Sequence, residues 1–286
     1  MKSKKYIRQA QYLRPKIIVM SGYGLNCEEE TKFAFESAGA KENIRADIVH
    51  INDLIAKPEM LNEYNIMAFP GGFSYGDDTG SGKAYANKFK NHLVKELEKF
   101  LSRNTLIIGI CNGFQIITNL GILPGALTYN KNGKYLDRWV DLAVPASAQA
   151  SAWLRGIKEI SLPIAHGEGH YVISPKEYKA MKLDGQIALK YTKGEVTKFQ
   201  SLEHNPNGSD YDIAGVLAYN GRVLGLMPHP ERAMFSHQNP LWQIRKSKIK
   251  RGLPAEALAK EGDGLQIFKN AINYFSAKDG SASGGK

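Results

Sequence analysis

Thr105-Leu-Ile-Ile-Gly-Ile-Cys-Asn-Gly-Phe-Gln115 is an apolar, β-branched run that stops at Gly109 and Cys111 and turns at once into a segment able to be helical. Leu106, Ile107 and Ile108 suit a strand buried on both faces. Phe114, Ile116, Ile117 and Leu120 fall on one side of a helix predicted to end near Gly121. Cys111 therefore stands on a strand-to-helix corner. Gly109-Ile-Cys-Asn-Gly113 reads as a cysteine version of the nucleophile elbow, in which small flanking residues permit a sharp turn and leave the side chain above the sheet edge. The unpaired N–H groups of the following helix carry partial positive charge, which favours the thiolate, the nucleophilic form of a cysteine. From this stretch alone the competing reading is a buried structural cysteine, a common fate of a free thiol on an apolar strand.

Outward from the elbow, strand and helix patterns alternate. Lys16-Ile-Ile-Val-Met20 is predicted as a buried strand, Gly22 to Asn26 as a loop and Cys27 to Ala38 as a helix ending at Gly39. Ile44 to Ile51 and Tyr64 to Phe69 follow as strands, and Ser81 to Leu101 as a helix with Phe89, Leu93, Leu97 and Phe100 on one side. This alternation implies an α/β fold with a flavodoxin-like, mostly parallel sheet flanked by helices, whose sites lie at the carboxyl ends of strands. Cys111 is at one such end and Pro70-Gly-Gly-Phe73 at another. After Pro124 the periodicity weakens into shorter, more antiparallel strands at 135–144, 159–165, 188–191 and 213–219, with Asn-Gly turns at 132–133, 207–208 and 220–221. Val223 to Met227 returns as an apolar strand into Pro228-His-Pro-Glu231. The expected organisation is a basic N-terminal extension over 1–14, one domain over 15–275 and a flexible Gly/Ser tail over 276–286. Residues 237–262 are basic and take no assignment from pattern, and 264–275 reads as an amphipathic helix.

With 286 residues and 43% hydrophobic content the chain has material for a substantial core. No stretch approaches the roughly 18 apolar residues that span a bilayer, and the first residues lack the apolar centre of a signal peptide, so the expected location is cytoplasmic. The net charge of +10 invites a nucleic-acid reading. The basic residues are scattered through amphipathic helices, with runs only at 2–8 and 245–251, and no nucleic-acid motif accompanies them, so a solvated or partner-docking surface is the better reading. Cys27 and Cys111 could close one disulfide, but in a reducing compartment a nucleophile is the better reading.

A cysteine nucleophile needs a base that hands a proton to the leaving group, and the base needs an orienting acceptor. His229 and Glu231 also follow a strand, and two-residue spacing on an extended segment would point both side chains the same way. Among the seven histidines the rival is His166, in the Gly-flanked Ala165-His-Gly-Glu-Gly169, which suits ligand or partner contact better.

Asn26-Cys27, Pro70-Gly-Gly-Phe-Ser-Tyr-Gly-Asp77, Gly109 to Gln115, Pro163-Ile-Ala-His-Gly-Glu-Gly169 and Met227-Pro-His-Pro-Glu-Arg-Ala233 together resemble the class I, triad-type glutamine amidotransferase domains. Within that family they are most similar to the glutaminase subunits of phosphoribosylformylglycinamidine synthases. The resemblance runs from about Pro15 to Arg232. It implies Cys111 as nucleophile, His229 as general base and Glu231 as the residue orienting it. It further implies Gly72 and Asn112 as backbone donors of the oxyanion hole, with Gln115, His166 and Gly167 contacting L-glutamine. The implied acceptor is formylglycinamide ribonucleotide in purine biosynthesis. A PurL-type synthetase subunit would use ATP and magnesium, a PurS-type small subunit would complete the assembly, and this chain would hold no cofactor and no metal.

Two positions depart from the family pattern. Tyr135-Leu-Asp-Arg-Trp139 has Asp137 where many relatives have cysteine, and His170 stands where an arginine is usual. Asp78-Thr-Gly-Ser-Gly-Lys83 superficially suggests a phosphate loop. Asp77 replaces its first glycine and Ala84 its Ser/Thr, so it reads as a turn before a helix. The alternatives are a glutaminase serving another synthetase, which the Ala-His-Gly-Glu-Gly motif disfavours, and a non-amidotransferase stress-response protein of similar fold. Proteins of the latter kind have an elbow cysteine but lack the His-x-Glu pair on a late strand.

Overall fold

A computed structural model describes residues 14–76, 80–248 and 261–276 of the chain. The expected extension before Arg14, the tail after Ser276, the middle of the unassigned 237–262 stretch and residues 77–79 lie outside the described residues.

A nine-stranded sheet runs through the molecule in the order β2-β1-β3-β4-β11-β10-β9-β6-β7. Its first part is parallel: β2 (Ala46–His50), β1 (Ile17–Ser21), β3 (Ile66–Phe69), β4 (Leu106–Ile110) and β11 (Val223–Leu226). Every residue of β3, β4 and β11 is buried, as an apolar run covered on both faces requires. The outer strand β2 mixes buried and accessible positions instead. The order of these strands is that of a flavodoxin-like sheet. The rest is antiparallel: β10 (Ile213–Ala218), β9 (Ile187–Thr192), β6 (Leu136–Ala143) and β7 (Glu159–His166). A separate two-stranded ribbon pairs β5 (Ala126–Thr128) with β8 (His170–Val172).

The predicted helix before the elbow is α3 (Lys83–Ser102), which buries Phe89, Leu93, Leu97 and Phe100 as the periodicity requires and adds Tyr85, Ala86 and Leu101. It packs on α4 (Asn112–Asn119), the helix that starts at the elbow. Phe89 meets Phe69 of β3 edge-on, with ring centroids 5.6 Å apart. α1 (Glu28–Ala38) packs against the C-terminal helix α8 (Leu265–Ser276), where Phe35 and Phe268 meet edge-on at 4.9 Å. Short helices α2 (Ile51–Ala56), α5 (Pro175–Leu183), α6 (Glu195–Gln200) and α7 (Trp242–Lys248), with several 3-10 turns, make up the other described elements.

Periodicity does not reveal α2, α5 or α6, because spans of six, nine and six residues are too short to display it. α5 nevertheless carries a local signal: Ser174 and Glu177 form a capping box, with Pro175 at the first helical position. Several predicted strands also begin early, since Ile44 and Tyr64 precede the ladders that start at Ala46 and Ile66. Among the described residues no helix is long and apolar enough to cross a membrane.

The direction of β7 decides where the two halves of the sheet meet. Four antiparallel steps separate it from β11, so both strands run the same way and the carboxyl end of β7, His166, lies at the edge where β4 and β11 end. In a flat sheet four steps of about 4.8 Å would hold the two strands roughly 19 Å apart. Instead the His229 N–H, just past β11, donates to the Pro163 carbonyl of β7 at 2.8 Å. The antiparallel half thus curls back over the ends of the parallel strands and closes a site there.

Candidate functional site

Cys111 sits between β4 and α4 with φ 51° and ψ −107°, a backbone conformation that non-glycine residues rarely adopt and that is held here by its surroundings. Its N–H donates to Leu226 of β11 at 2.8 Å. Two residues on, Gly113 lies so close to β3 that a β-carbon would stand 1.8 Å from the Phe69 carbonyl oxygen. The corner is sharp because α4 starts directly against the neighbouring strand. Cys111 is 5% exposed, and its thiol donates to the Ala165 carbonyl of β7 at 3.7 Å, a contact that only the curled sheet provides.

His229 and Glu231 reach the same place from β11. His229 is extended, but Pro230–Arg232 forms a 3-10 turn with proline at its start, so the expected extended His-Pro-Glu segment is corrected by one turn. The turn still brings Glu231 Oε1 to 2.5 Å from His229 Nδ1. Both side chains are buried, and neither His229 Nε2 nor Glu231 Oε2 has a hydrogen-bond partner among the described residues. Burial disfavours a charged imidazole, yet the Glu231 carboxylate and the adjacent Cys111 outweigh it and raise the His229 pKa to about 10. With Nδ1 committed to the carboxylate, Nε2 is the nitrogen left to exchange a proton with a reacting group.

Gly72, with φ +148°, forms an isolated bridge with Leu25, and a β-carbon there would meet the Gly24 carbonyl oxygen at 2.5 Å. The Phe73 N–H donates to Gly24 at 2.8 Å, and the Ser74 N–H donates to the Asn112 side-chain oxygen at 3.2 Å. The loop after β3 is therefore tied both to the loop after β1 and to the first residue of α4. The backbone N–H groups of Gly72 and Asn112 donate to no acceptor among the described residues. Phe73 and the exposed Tyr135 face each other at the rim, their ring centroids 6.1 Å apart.

The expected glutamine contacts are placed less simply. Gln115 is buried, and its amide is engaged within the chain, accepting from Asn112 Nδ2 at 2.8 Å and donating to the Glu168 carbonyl at 2.5 Å. His166 closes β7 rather than lying in a Gly-flanked loop. Asn130 donates through Nδ2 to the Lys134 and His166 carbonyls, which turns its oxygen toward His166 Nδ1 at 3.0 Å and toward the Gly169 N–H. Nδ1 then carries the proton. Burial, with His229 nearby, lowers the His166 pKa to about 3 and keeps this imidazole neutral. Gly167 accepts the Asn130 N–H at 2.8 Å. His170 opens β8 beside Asp210, and Asp137 pairs with Ala165 across the β6–β7 ladder.

Three residues of the quoted motifs take part in ways the sequence does not foretell. Cys27, at the start of α1, is buried beside His229 and Glu231, and Arg232 Nη2 donates to its sulfur at 3.0 Å. The carbonyls of Pro163 and Ala165 form the far wall. Taken together, a thiol on a strained corner, an imidazole fixed by a carboxylate and free backbone donors can perform acyl transfer through a covalent thioester.

Comparison with known proteins points the same way. Residues 14–275 match the family model described as a CobB/CobQ-like glutamine amidotransferase domain. A curated relative in Methanococcus maripaludis, phosphoribosylformylglycinamidine synthase subunit PurQ, is 47% identical over 92% of this chain and 99% of its own length. The protein of the same name in Dehalococcoides mccartyi is 41% identical over 91% of this chain and 97% of its own. Among solved structures, a chain of the PurLQS structure from Thermotoga maritima aligns with a TM-score of 0.63 at 33% identity, over 92% of this chain and 99% of that one.

Proposed function

Because the chain belongs to the CobB/CobQ-like glutamine amidotransferase family, we propose that it is the glutaminase subunit of a cytoplasmic phosphoribosylformylglycinamidine synthase. It hydrolyses L-glutamine and passes ammonia to a PurL-type synthetase subunit, in an assembly with a PurS-type small subunit. The observation that carries this reading is the meeting of Cys111 with a carboxylate-bound His229 at the ends of adjacent strands, in a chain similar over nearly its whole length to PurQ subunits.

In this reading the Cys111 thiolate attacks the side-chain amide carbon of glutamine. The oxyanion that forms is met by the N–H groups of Gly72 and Asn112, which need not give up another acceptor to receive it. His229, held protonated by Glu231, gives its proton to the departing nitrogen, and ammonia leaves. Water then attacks the thioester with His229 as base and releases glutamate. Glu231 is a positioning residue: it fixes the tautomer and stabilises the imidazolium. Gln115 acts through its bonds to Asn112 and Glu168, shaping the substrate pocket from behind, while His166 and Gly167 form its wall. ATP and magnesium serve the synthetase subunit.

The test uses the reconstituted complex with formylglycinamide ribonucleotide and ATP. Cys111→Ala abolishes synthesis from glutamine and leaves synthesis from ammonium salts nearly intact. Equal loss of both activities in an assembled complex would refute the division of labour.

A further inference from the structure

Glutamine hydrolysis by Cys111, His229 and Glu231 does not call on Cys27, although its thiol is buried against the His229–Glu231 pair. The Cys27 and Asn26 N–H groups both donate to the Gly71 carbonyl at 3.2 Å, which pins the start of α1 beneath the loop after β3. Gly71 has no side chain to hold the groups apart: a β-carbon there would lie 2.7 Å from His229 Cε1 and 3.3 Å from Cys27 Sγ. As a result the Cys27 sulfur, a ring nitrogen of His229 and a carboxylate oxygen of Glu231 lie within 4.8 Å of one another, all three residues buried. Glu231 Oε2 is also buried without a hydrogen-bond partner among the described residues, so the carboxylate has lone pairs to spare.

Thiolate, imidazole and carboxylate are the donor set of zinc, which holds sulfur at about 2.3 Å and nitrogen or oxygen at about 2.0–2.2 Å, so that tetrahedral ligand atoms stand roughly 3.3–3.8 Å apart. No separation in the cluster needs to close by more than about 1.5 Å, while the His229 Nδ1–Glu231 Oε1 pair, now at 2.5 Å, opens by about 0.8 Å. We propose that Cys27, His229 and Glu231 form an inhibitory site for a thiophilic divalent cation of the zinc class, which takes the imidazole and the carboxylate out of service. The inhibition, though not the binding, rests on the glutaminase reading.

Binding breaks no covalent bond other than those to hydrogen. The Cys27 thiol proton and the proton shared by His229 and Glu231 pass to solvent, the three ligand atoms bond to the metal, and the Arg232 guanidinium moves off the sulfur. A thiolate donor selects a soft cation of the zinc class over a hard one such as magnesium, and its binding releases the thiol proton. An imidazole bound through Nδ1 keeps its remaining proton on Nε2 and accepts none. One bound through Nε2 releases the Nε2 proton in place of the shared one and is blocked outright.

The test titrates the full-length chain with Co²⁺ alone as a spectroscopic probe and measures glutamine hydrolysis by the assembled complex with Zn²⁺ alone. Wild type and Cys111→Ser should both show a near-ultraviolet cobalt–thiolate band that Cys27→Ser and Cys27→Ala lack. Zinc inhibition should be reversed by a chelator, and its midpoint should rise at least tenfold in Cys27→Ser. A cobalt band lost in Cys111→Ser but kept in Cys27→Ser would place the metal on the nucleophile and overturn the proposal, as would equal zinc sensitivity of wild type and Cys27→Ser. If every complex lacks glutaminase activity while the cobalt band still depends on Cys27 and not on Cys111, the glutaminase reading fails and the metal site stands.

Discussion

The parallel and antiparallel halves of the sheet contribute different kinds of chemical group to the site. The parallel half, through β4 and β11, supplies the side chains proposed to react: Cys111 directly after one strand and His229 with Glu231 just beyond the other. The antiparallel half supplies main chain: the Pro163 carbonyl receives the His229 N–H and the Ala165 carbonyl receives the Cys111 thiol. Parallel strands buried on both faces end in register at one edge, so groups placed just past their ends are positioned by the most rigid part of the molecule. A strand that must curl back to reach the site needs no special side chain, since any residue offers a carbonyl. The comparison predicts that substitutions at the parallel strand ends cost activity far more than substitutions inside the antiparallel half.

The largest effect is expected at Gly113. A methyl group at 1.8 Å from the Phe69 carbonyl oxygen forces α4 away from β3, and backbone-against-backbone clashes of this kind fall in the rare class of substitutions costing more than about 4 kcal/mol. Gly113→Ala should therefore lose most of its cooperative folding, and any folded fraction should be inactive because Asn112 moves with the helix. Denaturant unfolding and glutamine hydrolysis measure both. Wild-type stability and activity in this variant would show that the elbow is looser than its geometry requires.

The second effect is graded. Glu231→Gln keeps the shape of the pair but removes the charge that, with Cys111, outweighs burial in holding His229 protonated. Loss of the orienting carboxylate in such a triad costs on the order of 100-fold or more in kcat. The same change alters pH dependence. The folded pKa of His229 is raised above its unfolded value, so its contribution to stability is fully present below pH 6.5 and disappears as pH rises toward about 10. Wild-type melting temperature should fall across that window, and Glu231→Gln should flatten the fall. Parallel melting curves for the two proteins would show that Glu231 does not hold the imidazolium.

What could be read from the sequence follows the same division between side chain and main chain. That Cys111, His229 and Glu231 would meet was legible because each is a residue type able to carry such chemistry and each sits beside a short apolar run that marks its strand. The shape of the Pro230–Arg232 turn was not, since proline suits both an extended segment and the first position of a 3-10 turn. The roles of Pro163 and Ala165 could not be read at all, because they depend on main-chain atoms and on a curl set by the antiparallel strands as a group. Cys27 was visible as a residue but not as a neighbour of the triad. The contact joining it to Arg232 spans 205 positions, and only the docking of α1 under the loop after β3 brings the two together.

The smallest effect on activity is expected inside the antiparallel half, at Asp141 of β6. Its buried carboxylate accepts from the Thr197 N–H and hydroxyl, each at 2.7 Å, and from the Ser161 hydroxyl at 2.8 Å, binding the start of α6 to the β6–β7 pair. Asp141→Asn replaces one acceptor oxygen with a donor that faces other donors, and leaving such groups unsatisfied costs about 1–3 kcal/mol. Yet Ser161 lies four residues before Ala165 along β7, and the β6–β7 ladder pairs the two strands throughout their length, so the carbonyls that face Cys111 and His229 are set by the ladder rather than by this network. Asp141→Asn should therefore melt several degrees lower while its glutamine hydrolysis, measured well below the melting transition in the assembled complex, stays within about twofold of wild type. If activity instead falls tenfold or more in a well-folded Asp141→Asn variant, the antiparallel half transmits strain from its interior to the site, and its contribution is mechanical as well as a matter of two carbonyl oxygens.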